Sequence, residues 1–220
     1  MEIYYQDKDI IVCHKPYGVS SQECDGESMV TLLSDLTHTQ AFAVHRLDVT
    51  TEGLMVYALD KESAANLNAQ FSERACRKSY IALAHGKPSE SVGEMTDLLF
   101  HDKRINKSFV VDKKRHGVKD ARLEYRLIGY GKTHDGDDAS VLKIDLHTGR
   151  THQIRVQLGS RGMPLIGDKK YGARSSGRML LLSAELELSH PRTGEPLRFA
   201  LTEDALAVVF DRFTEFTRIE

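Results

Sequence analysis

His45-Arg46-Leu47-Asp48 sets an imidazole, a guanidinium and a carboxylate within four residues, and Val49-Thr50-Thr51-Glu52-Gly53 adds hydroxyls, a second carboxylate and a glycine. A second dense polar stretch, His147-Thr148-Gly149-Arg150-Thr151-His152-Gln153-Ile154-Arg155, follows later in the chain. Of these groups Asp48 is the carboxylate best suited to chemistry. A carboxylate kept ionised away from water needs a fixed counter-charge, because desolvation raises its pKa and a nearby guanidinium lowers it. Arginine fits that role, since its fork is planar and stays charged. Arg150, between a glycine and a candidate helix start, is the matching cation; read from the residues alone, Asp48 and Arg150 serve equally well as turn and capping residues.

Other chemistries find no support in the sequence. His147 and His152 lack a cysteine pair or a third ligand at recognisable spacing, so no metal is expected. No glycine-rich phosphate loop and no Gly-x-Ser-x-Gly elbow occurs. Cys13, Cys24 and Cys76 are odd in number and form no C-x-x-C pair, which points to reduced thiols. With no apolar run long enough to span a bilayer and no signal-peptide pattern at the N-terminus, a cytoplasmic location is expected.

The elements that must hold these residues are mostly strands. Ile10 to His14 is short and β-branched and is broken by Lys15-Pro16-Tyr17-Gly18. Leu54 to Leu59 is apolar at both parities, as in a strand covered on both faces. Tyr80 to Ala84 is a third strand, Leu123–Leu127 and Leu142–Leu146 alternate as a hairpin, and Leu182 to Leu188 alternates as a half-exposed strand. Helices are predicted over Ser28–Leu36, over Lys61–Glu73 with Asp60 as N-cap, after a Thr151 cap, and over Thr202–Phe213. Residues 86–120 are polar, basic and weakly patterned, and read as loops or a mobile flap. The absence of strict β-α-β alternation predicts an α+β fold on a mixed, mostly antiparallel sheet flanked by helices and loops. The 220 residues are expected to form a single domain.

The formal net charge of -2 conceals an asymmetry. From Leu146 to Arg178 the local balance is +6, and from His101 to Asp120 it is +4. Such a distribution suits a polyanion held on one face of an otherwise acidic protein, and equally two solvated basic loops.

His45-Arg46-Leu47-Asp48 with Thr51 and Gly53, Lys78-Ser79-Tyr80-Ile81-Ala82, Gly149-Arg150-Thr151-His152-Gln153-Ile154-Arg155-Val156, Pro164-Leu165-Ile166-Gly167-Asp168 with Tyr171-Gly172, and Leu180 to Ala184 stand in this order. So arranged, and with Lys15-Pro16 and Gly18 at the start, the chain resembles the RluA-type family of RNA pseudouridine synthases over roughly residues 9 to 200. The resemblance implies a pseudouridine-synthase catalytic fold with an active-site cleft across its sheet. It implies an isomerase that needs no cofactor and acts on uridine in rRNA or tRNA stem-loops, as a monomer. Asp48 would be the catalytic aspartate, Tyr80 would stack on the base, Arg150 would pair with the aspartate and Leu182 would pack beneath the site. Arg46 would help hold displaced nucleotides open, and Arg155, with the basic segments, would contact RNA. The small N-terminal RNA-binding module of longer members is not expected.

Three positions depart from the family pattern: Glu52 for Ser, Gln157 for His and Ser183 for His. Glu52 is expected to bring negative charge near the RNA path. Two alternatives remain at this stage. One is a non-catalytic RNA-binding or RNA-folding protein on the same scaffold; the other is a nucleosidase-type hydrolase, for which Glu52 is the only candidate second carboxylate.

Overall fold

The computed structural model describes residues 1–174 and 177–219. In chain order the strands and helices are β1 (Ile3–Gln6), β2 (Ile10–Lys15), α1 (Met29–Thr37), β3 (Phe42–Ala43), β4 (Glu52–Ala58), α2 (Lys61–Ser72), β5 (Arg77–His85), β6 (Val92–Asp102), β7 (Lys107–Val111), β8 (Val118–Thr133), β9 (Asp138–Leu146), α3 (Gln153–Gly159), β10 (Leu181–Ser189), β11 (Pro196–Ala200), α4 (Glu203–Phe210) and β12 (Phe213–Arg218). The architecture is α+β with mostly antiparallel pairing. No helix among the described residues is long and apolar enough to cross a membrane.

The chain divides into two compact units. The first comprises Met1–Lys78 and Leu182–Leu201. Its centre is β4, paired antiparallel with β2 along one edge and, on the other, with β3 at its end and parallel with β10 at its start. Every residue of β4 is buried, which explains why its sequence is apolar at both parities. The flanking helices follow from their caps: Ser28 accepts the Thr31 N–H at the start of α1, and Asp60 accepts the N–H groups of Glu62 and Ser63 at the start of α2. Leu67 of α2 and Leu33 of α1 are fully buried. Asp7, Asp9 and His190 gather in this unit, where His190 Nδ1 accepts the N–H groups of Arg192 and Thr193 and Nε2 lies 2.7 Å from Asp7. Arg192 Nε donates to Asp9 at 2.6 Å, so the cluster fastens the turn after β10 to the turn after β1.

The second unit comprises Ser79–Leu181 and the chain from Thr202 onward. Its strands run in the order β5, β9, β8, β6, β7, all antiparallel, with β12 also on β8. Much of residues 86–120, expected as loops, is therefore the β6–β7 hairpin and the start of β8. Its strands are only intermittently buried, and β7 lies at the sheet edge, so no clean period marks them in the sequence. The final helix is also shorter than expected: α4 ends at Phe210, and Phe213 opens β12 opposite Thr133.

Candidate active site

Asp48 sits on an irregular segment between β3 and β4, and the first unit holds both of its neighbours by the backbone. On one side, the Ser21 hydroxyl donates to the Leu47 carbonyl at 2.9 Å and accepts the Leu47 N–H at 3.3 Å. Tyr57 of β4, fully buried, donates its hydroxyl to the Ser21 carbonyl at 3.0 Å, tying that clamp to the central strand. On the other side, the Val49 carbonyl accepts from Gly18 N–H at 2.9 Å, and Thr51 N–H closes a turn onto the Asp48 carbonyl at 2.9 Å.

The third anchor is Lys15. Its side chain is completely buried, and its ammonium donates to the carbonyls of Pro16 and Val19 at 2.8 Å and of Val49 at 3.3 Å. Burial pulls the ammonium down from the ordinary 10.5 to about 8, while the negative charge of Asp48 acts to raise it. Lys15 is thus a buried cation that faces the Asp48 carboxylate electrostatically and staples its turn. The sequence offered it only as part of an opening Lys-Pro pair, and nothing in the local pattern signals burial of a lysine.

His45 is a structural residue. Its ring stacks on Phe71 at 4.5 Å, Nε2 accepts the Val56 N–H at 3.1 Å, and burial holds its imidazole well below the usual histidine range. Arg46 is exposed. Leu182, 1% exposed, stands opposite Glu52 where β10 meets β4. The next pair, Gly53 and Ser183, makes a close backbone approach: a Cβ on Gly53, whose φ is +107°, would fall 2.3 Å from the Ser183 carbonyl oxygen.

Tyr80, Arg150 and Arg155 belong to the second unit. Tyr80 is buried in β5 opposite Ile144. Arg150 donates from Nε to the Asp120 carbonyl at 2.9 Å, and its own N–H is held by the Gln153 side chain. Arg155 differs from expectation. Its guanidinium is buried and forks onto the buried carboxylate of Asp168 at 2.7 and 2.8 Å, with the Tyr171 ring 5.2 Å away. This bidentate pair ties α3 to the Asp168 turn, so Arg155 is an internal anchor and not an outward phosphate contact. Exposed cations of this unit include Lys103, Arg104, Lys113, Lys114, Arg115 and Lys119 on and after the β6–β7 hairpin, and Lys169, Lys170, Arg174 and Arg178 beyond α3.

The three departures share one property: Glu52 is 2% exposed, and Gln157 and Ser183 are fully buried. The expectation that Glu52 lays charge along an RNA path is therefore corrected, because its residue is inside the first unit. Gln157 donates to the Met95 carbonyl and to Asp97, which Arg161 also grips.

Comparison with known proteins gives this geometry its class. A family model described as RNA pseudouridylate synthase matches residues 9–160. A dual-specificity RNA pseudouridine synthase, RluA of Escherichia coli K12, is 35% identical over 92% of this chain and 93% of its own. An uncharacterised RNA pseudouridine synthase of Aquifex aeolicus is 33% identical, covering 92% of this chain and 69% of the relative. In fold, the structure of human RNA pseudouridylate synthase domain containing 1 is similar with a TM-score of 0.81 at 24% identity, covering 94% of this chain and 85% of that one. The chain belongs to the RNA pseudouridylate synthase family. It is an RNA pseudouridine synthase of RluA type, and therefore an isomerase.

Proposed function

We propose that residues 1–220 act as a single catalytic domain that isomerises uridine in a structured rRNA or tRNA stem-loop, with Asp48 as the catalytic carboxylate. The observation that carries this reading is the fastening of Asp48: Ser21 grips Leu47, while Lys15 and Gly18 grip Val49, so the carboxylate is presented from a preorganised backbone. In the reaction the bond from uracil N1 to the ribose breaks, the base turns and C5 joins the ribose. N1 gains a proton and C5 loses one. The base must leave its stack at a cost of about a few kcal/mol, and stacking on Tyr80 would return about 1–3 kcal/mol of that. Asp48 acts at the ribose, Arg150 supplies positive charge, Leu182 packs beneath the base and Arg46 holds displaced nucleotides open.

The hairpin cations supply phosphate contacts, so binding weakens as salt rises. The protein works as a monomer in the cytoplasm. Pseudouridine mapping of total RNA from cells with and without the protein tests the assignment. One or more sites should vanish with the gene and return with the wild type; an unchanged map would overturn it.

Lys15 gives this reading a pH signature. Below about pH 8 its ammonium is charged and faces Asp48; above it the charge is lost. The turnover rate should therefore decline above about pH 8. Lys15→Met should run about tenfold slower at pH 7 and lack that decline. Stability moves the other way: because the folded value of about 8 lies below the ordinary 10.5, the folded chain sheds this proton first, and the group adds stability as pH rises between those values. Rate and melting profiles of both proteins check this, and a Lys15→Met profile that keeps the decline would contradict it.

A further inference from the structure

β6 is held along β8 and by Gln157 and Arg161 of the α3 region, the hairpin turn accepts from Lys170 Nζ at the Asn106 carbonyl, and β7 is fastened through Ser108. Ser108 of β7 is 2% exposed, although the hairpin around it is largely open to solvent. Its N–H donates to the Tyr171 hydroxyl at 2.8 Å and its Oγ donates to the Thr151 carbonyl at 2.6 Å. The Tyr171 hydroxyl, having accepted that N–H, keeps one hydrogen of its own and lies 2.9 Å from Nδ1 of His152. His101, directly across the hairpin from Ser108, places its Nδ1 3.2 Å from the same Oγ. Since Oγ gives its hydrogen to Thr151, the His101 nitrogen is the donor in that contact.

The far end of this network is the turn that carries Arg150. Thr151 and His152 follow it directly, and His152 is buried in the left-handed region with φ 55°, a strained conformation for a non-glycine residue that persists only where its surroundings enforce it. Tyr171 holds the ring of the strained residue and, through the same oxygen, the backbone of the hairpin.

We propose that Tyr171 is a positioning residue: its hydroxyl locks the basic β6–β7 hairpin to the Arg150-Thr151-His152 turn, so that RNA gripped by the hairpin and the arginine of the site move as one body. The inference rests on the reading of the chain as a uridine isomerase in which the hairpin binds phosphates and Arg150 serves the reaction. The coupling makes engagement of RNA some distance from the target base bear on the geometry of the turn. A hydroxyl shared by two segments transmits such a displacement because neither segment can shift without breaking one of its bonds.

Tyr171→Phe tests this, because it keeps the ring that packs against Arg155 and Lys107 and removes only the hydroxyl. Amide hydrogen exchange at Ser108 should accelerate at least tenfold, and the melting temperature should fall by only about a few degrees, the cost of one buried N–H losing its acceptor. With tRNA and rRNA transcripts carrying 5-tritiated uridine, the single-turnover rate at saturating RNA should fall about tenfold and the Kd should rise severalfold. In a Lys103→Ala/Arg104→Ala background, where the hairpin grip is already weakened, Tyr171→Phe should cost little further affinity while still slowing the rate. Unchanged Ser108 exchange, a wild-type rate, or affinity losses that add in full would each overturn the proposal. The exchange and affinity arms need no turnover, so a wild type that converts no uridine would count against the functional reading alone.

Discussion

Gly53→Ala is expected to lower the melting temperature by about 10 °C. Two costs add at this position. The backbone has φ +107°, where an L side chain is strained by about 1–3 kcal/mol. The new Cβ would also lie 2.3 Å from the carbonyl oxygen, 2.7 Å from the nitrogen and 2.9 Å from the carbonyl carbon of Ser183. These are backbone atoms of the strand paired with β4, so no rotamer change relieves them; β4 and β10 must separate at their Glu52–Leu182 and Gly53–Ser183 pairs. Overpacking of this kind costs about 1–3 kcal/mol more, and in a chain of this size each kcal/mol is worth about 2–4 °C. Because the obstruction is backbone, Ser183→Gly should not rescue the variant. Thermal melting of the single and double variants checks both points, and a Gly53→Ala protein that melts with the wild type would contradict the close approach seen here.

The glycine also shows how much of this protein was legible in its sequence. Its place in the His45–Gly53 motif was visible, and so was the strand that follows, because a strand buried on both faces is apolar at both parities. Its reason was not visible, since it depends on Ser183, far along the chain. The same division recurs elsewhere. Asp60 as a cap, the Lys61 helix and the strands at Ile10, Tyr80 and Leu182 follow local rules and form where those rules place them. The β6–β7 hairpin obeys no local period because its strands bury few residues, so it read as loop. Thr151 looked like a helix cap, yet the N-terminal position of α3 falls to His152 in a left-handed conformation, held by a tyrosine distant in sequence.

Charge was the least legible property. Lys15, Glu52 and Arg155 are all buried, each against the usual preference of its type. For Lys15 the compensation is three backbone carbonyls and the charge of Asp48; for Arg155 it is the Asp168 fork. Pro16 and Val19 lie within four residues of Lys15, but Val49, Asp48 and, for Arg155, Asp168 are too far along the chain to be inferred from spacing. The alternatives raised by the sequence have also narrowed. A hydrolase with Asp48 and Glu52 as paired carboxylates would need both open to substrate and water, whereas Glu52 is enclosed in the first unit.

The largest effect on activity is expected from Asp48→Asn. The amide is nearly the same size, so the clamps on Leu47 and Val49, which are backbone contacts, should persist along with the melting temperature. RNA affinity should change by less than about threefold, since phosphate contacts dominate nucleic-acid binding. The reaction should fail because an amide can neither attack the ribose nor take a proton from it. Loss of a sole reacting carboxylate is expected to cost at least about 10⁴-fold in rate, or more than about 5 kcal/mol of barrier. The most direct test is release of tritium from RNA carrying 5-tritiated uridine, with free uracil monitored in the same samples. The account predicts that the wild type releases tritium and no uracil while folded, RNA-bound Asp48→Asn releases neither; tritium release surviving in Asp48→Asn, or uracil appearing with the wild type, would contradict it.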